Sequence, residues 1–362
     1  MRSLILALTA ATAASSLSAQ GDVLYYRFDA ASGNAAATTV NFVAGVGAAP
    51  SEATLSNGGA SVVGGMSGSG LSATSPWWGA TNSVDTGWIP SISGSFTVSM
   101  FVQNKYANDP LARATLFGEA GGFRGDVGAT SQGGFVLSGW GGPDLEFDGG
   151  LPWCFVNGWT HMAIVLDTAT STATLYRGGA ALATTPLPTT PVVSTQFPLV
   201  IGDDGTVTTP SLFDIDEVRV LTRAATAQEI QSWSVDSSAA AASFGDANGT
   251  GLQTVGGAPF RGNQSFGLEI TGLAQTPGVL VFGWARVHQD LVPLLGPSAG
   301  TLYPSLDAQV GVMLNTAGLA SVAVPIPATL GSTEFFVQAF TLDGEIRSSN
   351  AIACGVGAAS GS

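Results

Sequence analysis

The chain has 362 residues, and its 25 acidic side chains outnumber the 11 basic ones to give a net charge of −14. Such a field repels phosphate backbones and anionic lipid, which argues against nucleic acid as a partner. Although 45% of residues are hydrophobic and only 10% charged, the apolar runs beyond the N-terminus are too short for a spanning helix. The length allows two domains, and the 49 glycines and 18 prolines suit many short strands joined by turns, an all-β composition.

Residues 1–20 have a basic start at Arg2, an apolar middle at Leu4–Leu8 and small residues toward Ala19 and Gln20. This is the pattern of an export signal, so the mature chain is expected to begin near Gly21 and to be secreted or displayed at the cell surface. The first strand follows, with Leu24, Tyr26 and Phe28 on one face. From 30 to 95 the chain is rich in Ala, Ser, Thr and Gly, which predicts turns and short strands, interrupted by Trp77, Trp78 and Trp88 in Pro- and Gly-containing segments. Phe96, Val98, Met100 and Val102 alternate toward a sandwich core. Leu116–Gly118 and Gly134–Leu137 are the next predicted strands, with a loop between them that holds Arg124 and Asp126.

The stretch from Asn157 to Trp233 organises the rest. Thr160–Leu166 is apolar on both faces, as a central strand packed on two sides requires. Arg177-Gly178-Gly179 supplies positive-φ hairpin chemistry. Thr226-Ala227-Gln228-Glu229 reads as a capping box ahead of a short helix carrying Ile230 and Trp233 as an apolar pair.

Four motifs in order, Trp159-Thr160-His161-Met162-Ala163, Leu175-Tyr176-Arg177-Gly178-Gly179, Ile201-Gly202 and Asp216-Glu217-Val218-Arg219, resemble the LamG-like jelly roll of the concanavalin A-like lectin/glucanase superfamily. The resemblance covers about residues 21–234 and implies a β-sandwich whose first strand lies beside the strand holding Ile215 and Val218. That fold hosts binding modules, enzymes and structural domains alike. Residues 235–243 lack turn signals and core periodicity and are expected to form a linker. Beyond it, Phe266–Ile270, Val279–Trp284, Val310–Leu314, Ala320–Ile326 and Phe335–Phe340 predict a second, smaller antiparallel β-sandwich over 244–362. This part resembles a short C-terminal β module of secreted bacterial proteins, without the cysteines its relatives carry near the start and middle.

A catalytic site is not expected. Glucanases of this fold place alternating carboxylates along one strand face. Here Glu146 and Asp148 match the first two positions, but Leu151 occupies the place of the second glutamate. The two histidines, His161 and His288, have no His or Cys at ligand spacing. Residues 65–69 and 45–50 only approach a nucleophile elbow and a phosphate loop, and neither precedes a helix.

Binding is the remaining expectation. Trp77, Trp78, Trp88 and Trp140 are candidates to stack on sugar faces, against the alternative that they fill the core. The resemblance also suggests Ca²⁺ near the rim, with Asp29, Asp203, Asp204, Asp214 and Asp216 as oxygen ligands; otherwise these aspartates cap turns. Cys154 and Cys354 either bridge the two domains or stay as buried thiols. The expected function is recognition of a polysaccharide or other glycan by a secreted, non-catalytic protein; the alternative is an adhesive cell-surface protein that binds other proteins.

Overall fold

A computed structural model of the chain describes residues 22–28, 38–43, 49–55, 61–64, 66, 69–72, 82–104, 114–128, 134–147, 158–205 and 213–359. Residues 1–20, where an export signal is expected, lie outside the described residues. Among those residues, no helix is long and apolar enough to cross a membrane.

Two antiparallel sheets form the jelly roll. The first runs Ala180–Pro186, Thr172–Arg177, Thr160–Asp167, Phe96–Asn104, Phe213–Leu221, Ser69–Ser72, Ser61–Gly64, and Asp22–Tyr26 also pairs along Phe213–Leu221. As expected from the resemblance, Tyr26 stands opposite Val218. Thr160–Asp167 is central and buried on both faces. Its hairpin partner Thr172–Arg177 ends in Gly178 and Gly179, at φ 54° and 82°, which a side chain would strain. The second sheet runs Leu145–Phe147, Phe135–Ser138, Arg124–Val127, Ala114–Gly118, Val200–Ile201, Val84–Asp85, Glu52–Leu55, Thr38–Val40. Phe96, Val98, Met100, Val102, Phe117, Val127, Leu137 and Ile201 meet in the core between the sheets.

The segment that holds Arg124 and Asp126 is thus a strand rather than a loop. Gly125 sits at its inward position, where a Cβ would meet the rings of Phe117 and Phe135, so the pattern shows no apolar residue there. After Phe213–Leu221 the helix Ala227–Trp233 carries the predicted capping box, Thr226 accepting from the Glu229 amide and Glu229 from the Thr226 amide. Its Ile230 and Trp233 pack on Ala163, Val165 and Leu221, on the outward side of the first sheet.

The C-terminal part is a sandwich of a five-stranded sheet, in the order Ala240–Phe244, Ile346–Val356, Thr333–Leu342, Pro277–Gly283, Ala308–Met313, over a three-stranded one of Gly251–Val255, Gly267–Thr271 and Leu319–Ala323. The expected linker is only partly free chain. Ser237 is buried, and Ala240–Phe244 pairs along Ile346–Val356 as an edge strand. The two domains also share apolar surface, since Tyr25, Val40 and Phe42 cluster with Phe244, Tyr303 and Phe336. Arg286 of the C-terminal sandwich pairs with Glu52 of the jelly roll and lies over the Phe244 ring, 4.6 Å from its centroid.

Candidate functional site

The sequence motif Asp216-Glu217-Val218-Arg219 forms the joint between the domains. Glu217 adopts φ 51°, a left-handed conformation that a non-glycine residue keeps only where its surroundings hold it. They do so here. Its carboxylate accepts from the Tyr25 hydroxyl at 2.6 Å and the Ser237 hydroxyl at 2.6 Å, and the Arg27 guanidinium stands 3.6 Å away. Arg27, fully buried, also donates to the Ser238 and Val356 carbonyls. Arg219 lies between two rings, 3.5 Å from the Tyr25 centroid and 5.1 Å from that of Trp233. Asp216 accepts from the amides of Met66 and Glu217. These groups serve packing of the domain junction.

His161 belongs to the same outward face. Its Nε2 is 2.9 Å from the Ser99 hydroxyl and its ring meets Phe101 edge-on at 5.0 Å. Burial, helped by the nearby Arg219 charge, pushes its pKa down to about 3. The ring is thus a neutral imidazole held within the sheet.

The outward face of the second sheet is built differently. Residues directly opposite in paired strands point the same way. Following the register from strand to strand gives one continuous rung: Ser138, Arg124, Gly118, Val200, Asp85, Thr54, Thr38. Six strand spacings make it about 29 Å long. The next residue of each strand forms the rung beneath, Leu137, Gly125, Phe117, Ile201, Val84, Leu55, which faces the core. On the outward rung Asp85 and Thr54 are exposed, while Arg124 is one third exposed.

Arg124 is fixed from two sides. Asp126 lies 3.0 Å from its Nε and Asp204 3.5 Å from its Nη1, and the Thr115 hydroxyl donates to the other Asp126 oxygen at 2.7 Å. Gly118 permits this arrangement, because a Cβ there would stand 2.8 Å from the Arg124 Cβ and 3.0 Å from that of Asp204. The result is a rung with a held guanidinium one strand in from its Ser138 end, and with Gly118 and Val200 between that guanidinium and Asp85.

The expected site residues are not brought together. Trp88 and Trp140 are core side chains, 5% and 0% exposed, and the Trp140 indole donates to the Pro143 carbonyl at 2.8 Å. They present no face to a ligand; the Pro- and Gly-rich segments around them are turns folded over the core. Trp77, Trp78 and Asp29 lie outside the described residues. Of the remaining aspartates, Asp203 and Asp204 follow a strand of the second sheet, whereas Asp214 and Asp216 alternate with the inward Phe213 and Ile215 of the first. The two pairs therefore belong to opposite sheets. Arg124 supplies the positive charge beside Asp204, and among the described residues no group of three or more His, Cys, Asp or Glu could hold a metal ion. Cys354 is a free, fully buried thiol, with its pKa raised by burial; Cys154 lies outside the described residues. Glu146 is exposed between buried Leu145 and Phe147, and Asp148 lies outside the described residues.

Comparison with known proteins agrees with this architecture. The jelly roll belongs to the concanavalin A-like lectin/glucanases superfamily, whose model matches residues 79–231. No curated protein matches the sequence. Solved structures similar to this jelly-roll chain include a putative carbohydrate binding protein from Bacteroides ovatus, 20% identical with TM-score 0.34, covering 40% of this chain and 42% of that one. Domain 4 of AbnA, a GH43 extracellular arabinanase from Geobacillus stearothermophilus solved with arabinotriose, is 16% identical with TM-score 0.41, covering 59% of this chain and 98% of that one. The receptor binding domain of botulinum neurotoxin D is 10% identical with TM-score 0.42, covering 92% and 93%.

The rung escaped sequence reading because its members come from seven strands and only register joins them. Asp203 and Asp204 were candidates for a different chemistry. The alternation of Arg124 and Asp126 about Gly125 was the one local signal available.

Proposed function

We propose that this chain is an exported, non-catalytic glycan-binding protein, and that its jelly roll holds the glycan along the outward rung of the second sheet. The observation that carries the reading is the outward rung that bears Ser138 and Arg124 on one side of Gly118 and Val200, and Asp85, Thr54 and Thr38 on the other, on a lectin/glucanase fold. A sugar offers vicinal hydroxyls that both donate and accept. The rung meets them with guanidinium donors, a carboxylate acceptor and hydroxyls that do either. Arg124 reaches the ligand already oriented, so little side-chain freedom is lost on binding.

The absence of hydrolysis is supported by the state of the carboxylates on that face. Glu146 and Asp126 flank Val136, two strand spacings or about 9.6 Å apart, which is near the separation of an inverting pair. Asp126, however, has one oxygen on Thr115 and the other on Arg124, and is fully buried, so it cannot deliver or take a proton at a sugar. Export is supported by the basic, apolar and small-residue pattern of residues 1–20.

The test is affinity electrophoresis of the full chain in soluble β-glucan, xylan, mannan and α-glucan, with reducing-sugar release measured alongside. Retardation by one polysaccharide, weakened by Asp85→Ala or by the bulky Thr54→Trp without loss of folding, is expected. Retention of only the producer's own envelope proteins, or release of reducing sugar that Glu146→Gln abolishes, would replace this reading.

A further inference from the structure

The C-terminal sandwich carries a feature that the jelly-roll reading leaves unused. Trp284 follows the strand Pro277–Gly283, and its indole is 58% exposed although tryptophan normally buries most of its area. The Trp284 turn is rigid. Its own amide donates to Asp307 Oδ2 at 2.8 Å, the Ala285 amide to the Ser305 hydroxyl at 3.0 Å, and the Ser305 amide to the Ala285 carbonyl at 2.8 Å. The Asp307 amide in turn donates to the Phe282 carbonyl at 3.1 Å. Two turns, 283–286 and 304–307, are therefore laced together by main-chain and short side-chain bonds. The ring itself is oriented by Phe335, which it meets near edge-on with centroids 6.1 Å apart.

The polar groups around the ring are open to an incoming molecule. Asp307 is exposed; its Oδ2 accepts from the Trp284 amide and from the Ser305 hydroxyl at 2.5 Å, while Oδ1 has no partner among the described residues. The Ser305 hydroxyl and the Trp284 amide hold this carboxyl below the usual carboxylate range, so it stays an acceptor in mildly acidic media. The indole N–H also has no partner among the described residues. Leu306, on the partner turn beside Asp307, is 61% exposed.

From this geometry we infer that Trp284 and Asp307 form a second glycan subsite, which takes one neutral pyranose ring. A pyranose has an apolar C–H face and a rim of hydroxyls. The fixed indole offers a flat apolar platform at low entropic cost, and Asp307 Oδ1 offers an acceptor at its edge. The exposed apolar side chains of these two turns are one indole and one leucine, a platform of the size of a sugar ring, whereas a protein contact needs several hundred square ångströms. A negative carboxylate on a chain of net charge −14 selects against uronic or sialic acids. The inference shares its ligand class with the reading above but none of its residues.

The test uses the full chain labelled with 5-fluorotryptophan, its Trp284 line assigned by Trp284→Phe, and titrated with neutral oligosaccharides of β-glucan, xylan, mannan and α-glucan. The expected result is a shift of the Trp284 line by one of these, a loss of affinity of about tenfold in Trp284→Ala, and a smaller loss in Asp307→Asn. Binding that is weakened by Asp85→Ala or Thr54→Trp, with the Trp284 line unmoved and Trp284→Ala unchanged, would overturn the subsite and leave the jelly-roll face standing. Binding that depends on Trp284 alone would support the subsite and remove the jelly-roll face. No shift with any oligosaccharide, or a shift only with a protein from the producer's envelope, would overturn the subsite.

Discussion

The two outward faces of the jelly roll are made from the same kind of strand and end in opposite states. On the first sheet, Ile230 and Trp233 of the helix cover one end, Arg219 is held between Tyr25 and Trp233, and Glu217 ties Tyr25, Arg27 and Ser237 into the domain junction. On the second sheet, the rung from Ser138 to Thr38 leaves Asp85 and Thr54 exposed and Arg124 partly so. The difference teaches that motif residues and residues left open to solvent need not coincide. The residues that make the chain look like its superfamily are occupied in holding the fold, and the face left open is made of residues with no motif.

Breaking the closed face should have the largest effect. Glu217→Ala removes a carboxylate from beside the buried Arg27 guanidinium and an acceptor from the Tyr25 and Ser237 hydroxyls, so a loss of about 3 kcal/mol is expected. Urea denaturation should show it as a lower midpoint. An unchanged midpoint would mean that the junction contributes little to holding the domains together.

Acid should weaken the same face through His161. Its folded pKa is depressed from 6.5 to about 3, so between those values the unfolded chain binds the proton and the folded chain does not. This contribution is complete above about pH 6.5 and declines as pH falls toward 3, reaching a cost of about 2 kcal/mol at pH 5. The stability of His161→Gln should therefore depend less on pH across that window, and parallel curves for the two proteins would refute the assignment.

The open face should respond to Gly118→Ala by about 1–3 kcal/mol, because the added methyl must displace Arg124 or Asp204. Glycan affinity should fall with it, since the guanidinium is then re-aimed. Asp85→Ala sits at the small end. A change of about 0.5 kcal/mol in stability is expected for an exposed position, so weaker glycan retention in this variant would report binding and not unfolding.

Much of the fold was legible locally. Alternation at Phe96–Val102, the double-sided Thr160–Leu166, the Gly178-Gly179 hairpin and the Thr226/Glu229 box all have short-range causes, and all appear as read. The longest strand of the C-terminal sheet, Ile346–Val356, was missed because Arg347, Ser348, Ser349 and Asn350 interrupt its apolar pattern. Their polar groups are satisfied at a distance: the Asn350 side chain bonds Leu252 on both its amide and its carbonyl, and the Ser349 hydroxyl accepts from the Ala339 amide. Two of the aromatic candidates, Trp88 and Trp140, are buried for a related reason. Trp88 and Trp140 stand in turn-like segments, and whether a turn lies open or folds over a core depends on what packs beneath it. Among the described residues, Trp284 is the exposed tryptophan.

What the sequence determined by itself was the set of strands with strong period-two patterns, the turns that require glycine and the helix cap, because each follows from forces acting within a few residues. The tertiary structure alone decided which acids meet which bases. Arg124 reaches Asp204 across 80 residues of chain, and Glu217 receives Tyr25 from 192 residues away. Register and sheet packing set those encounters, and a pairing shifted by one residue would turn the same side chains to the opposite face.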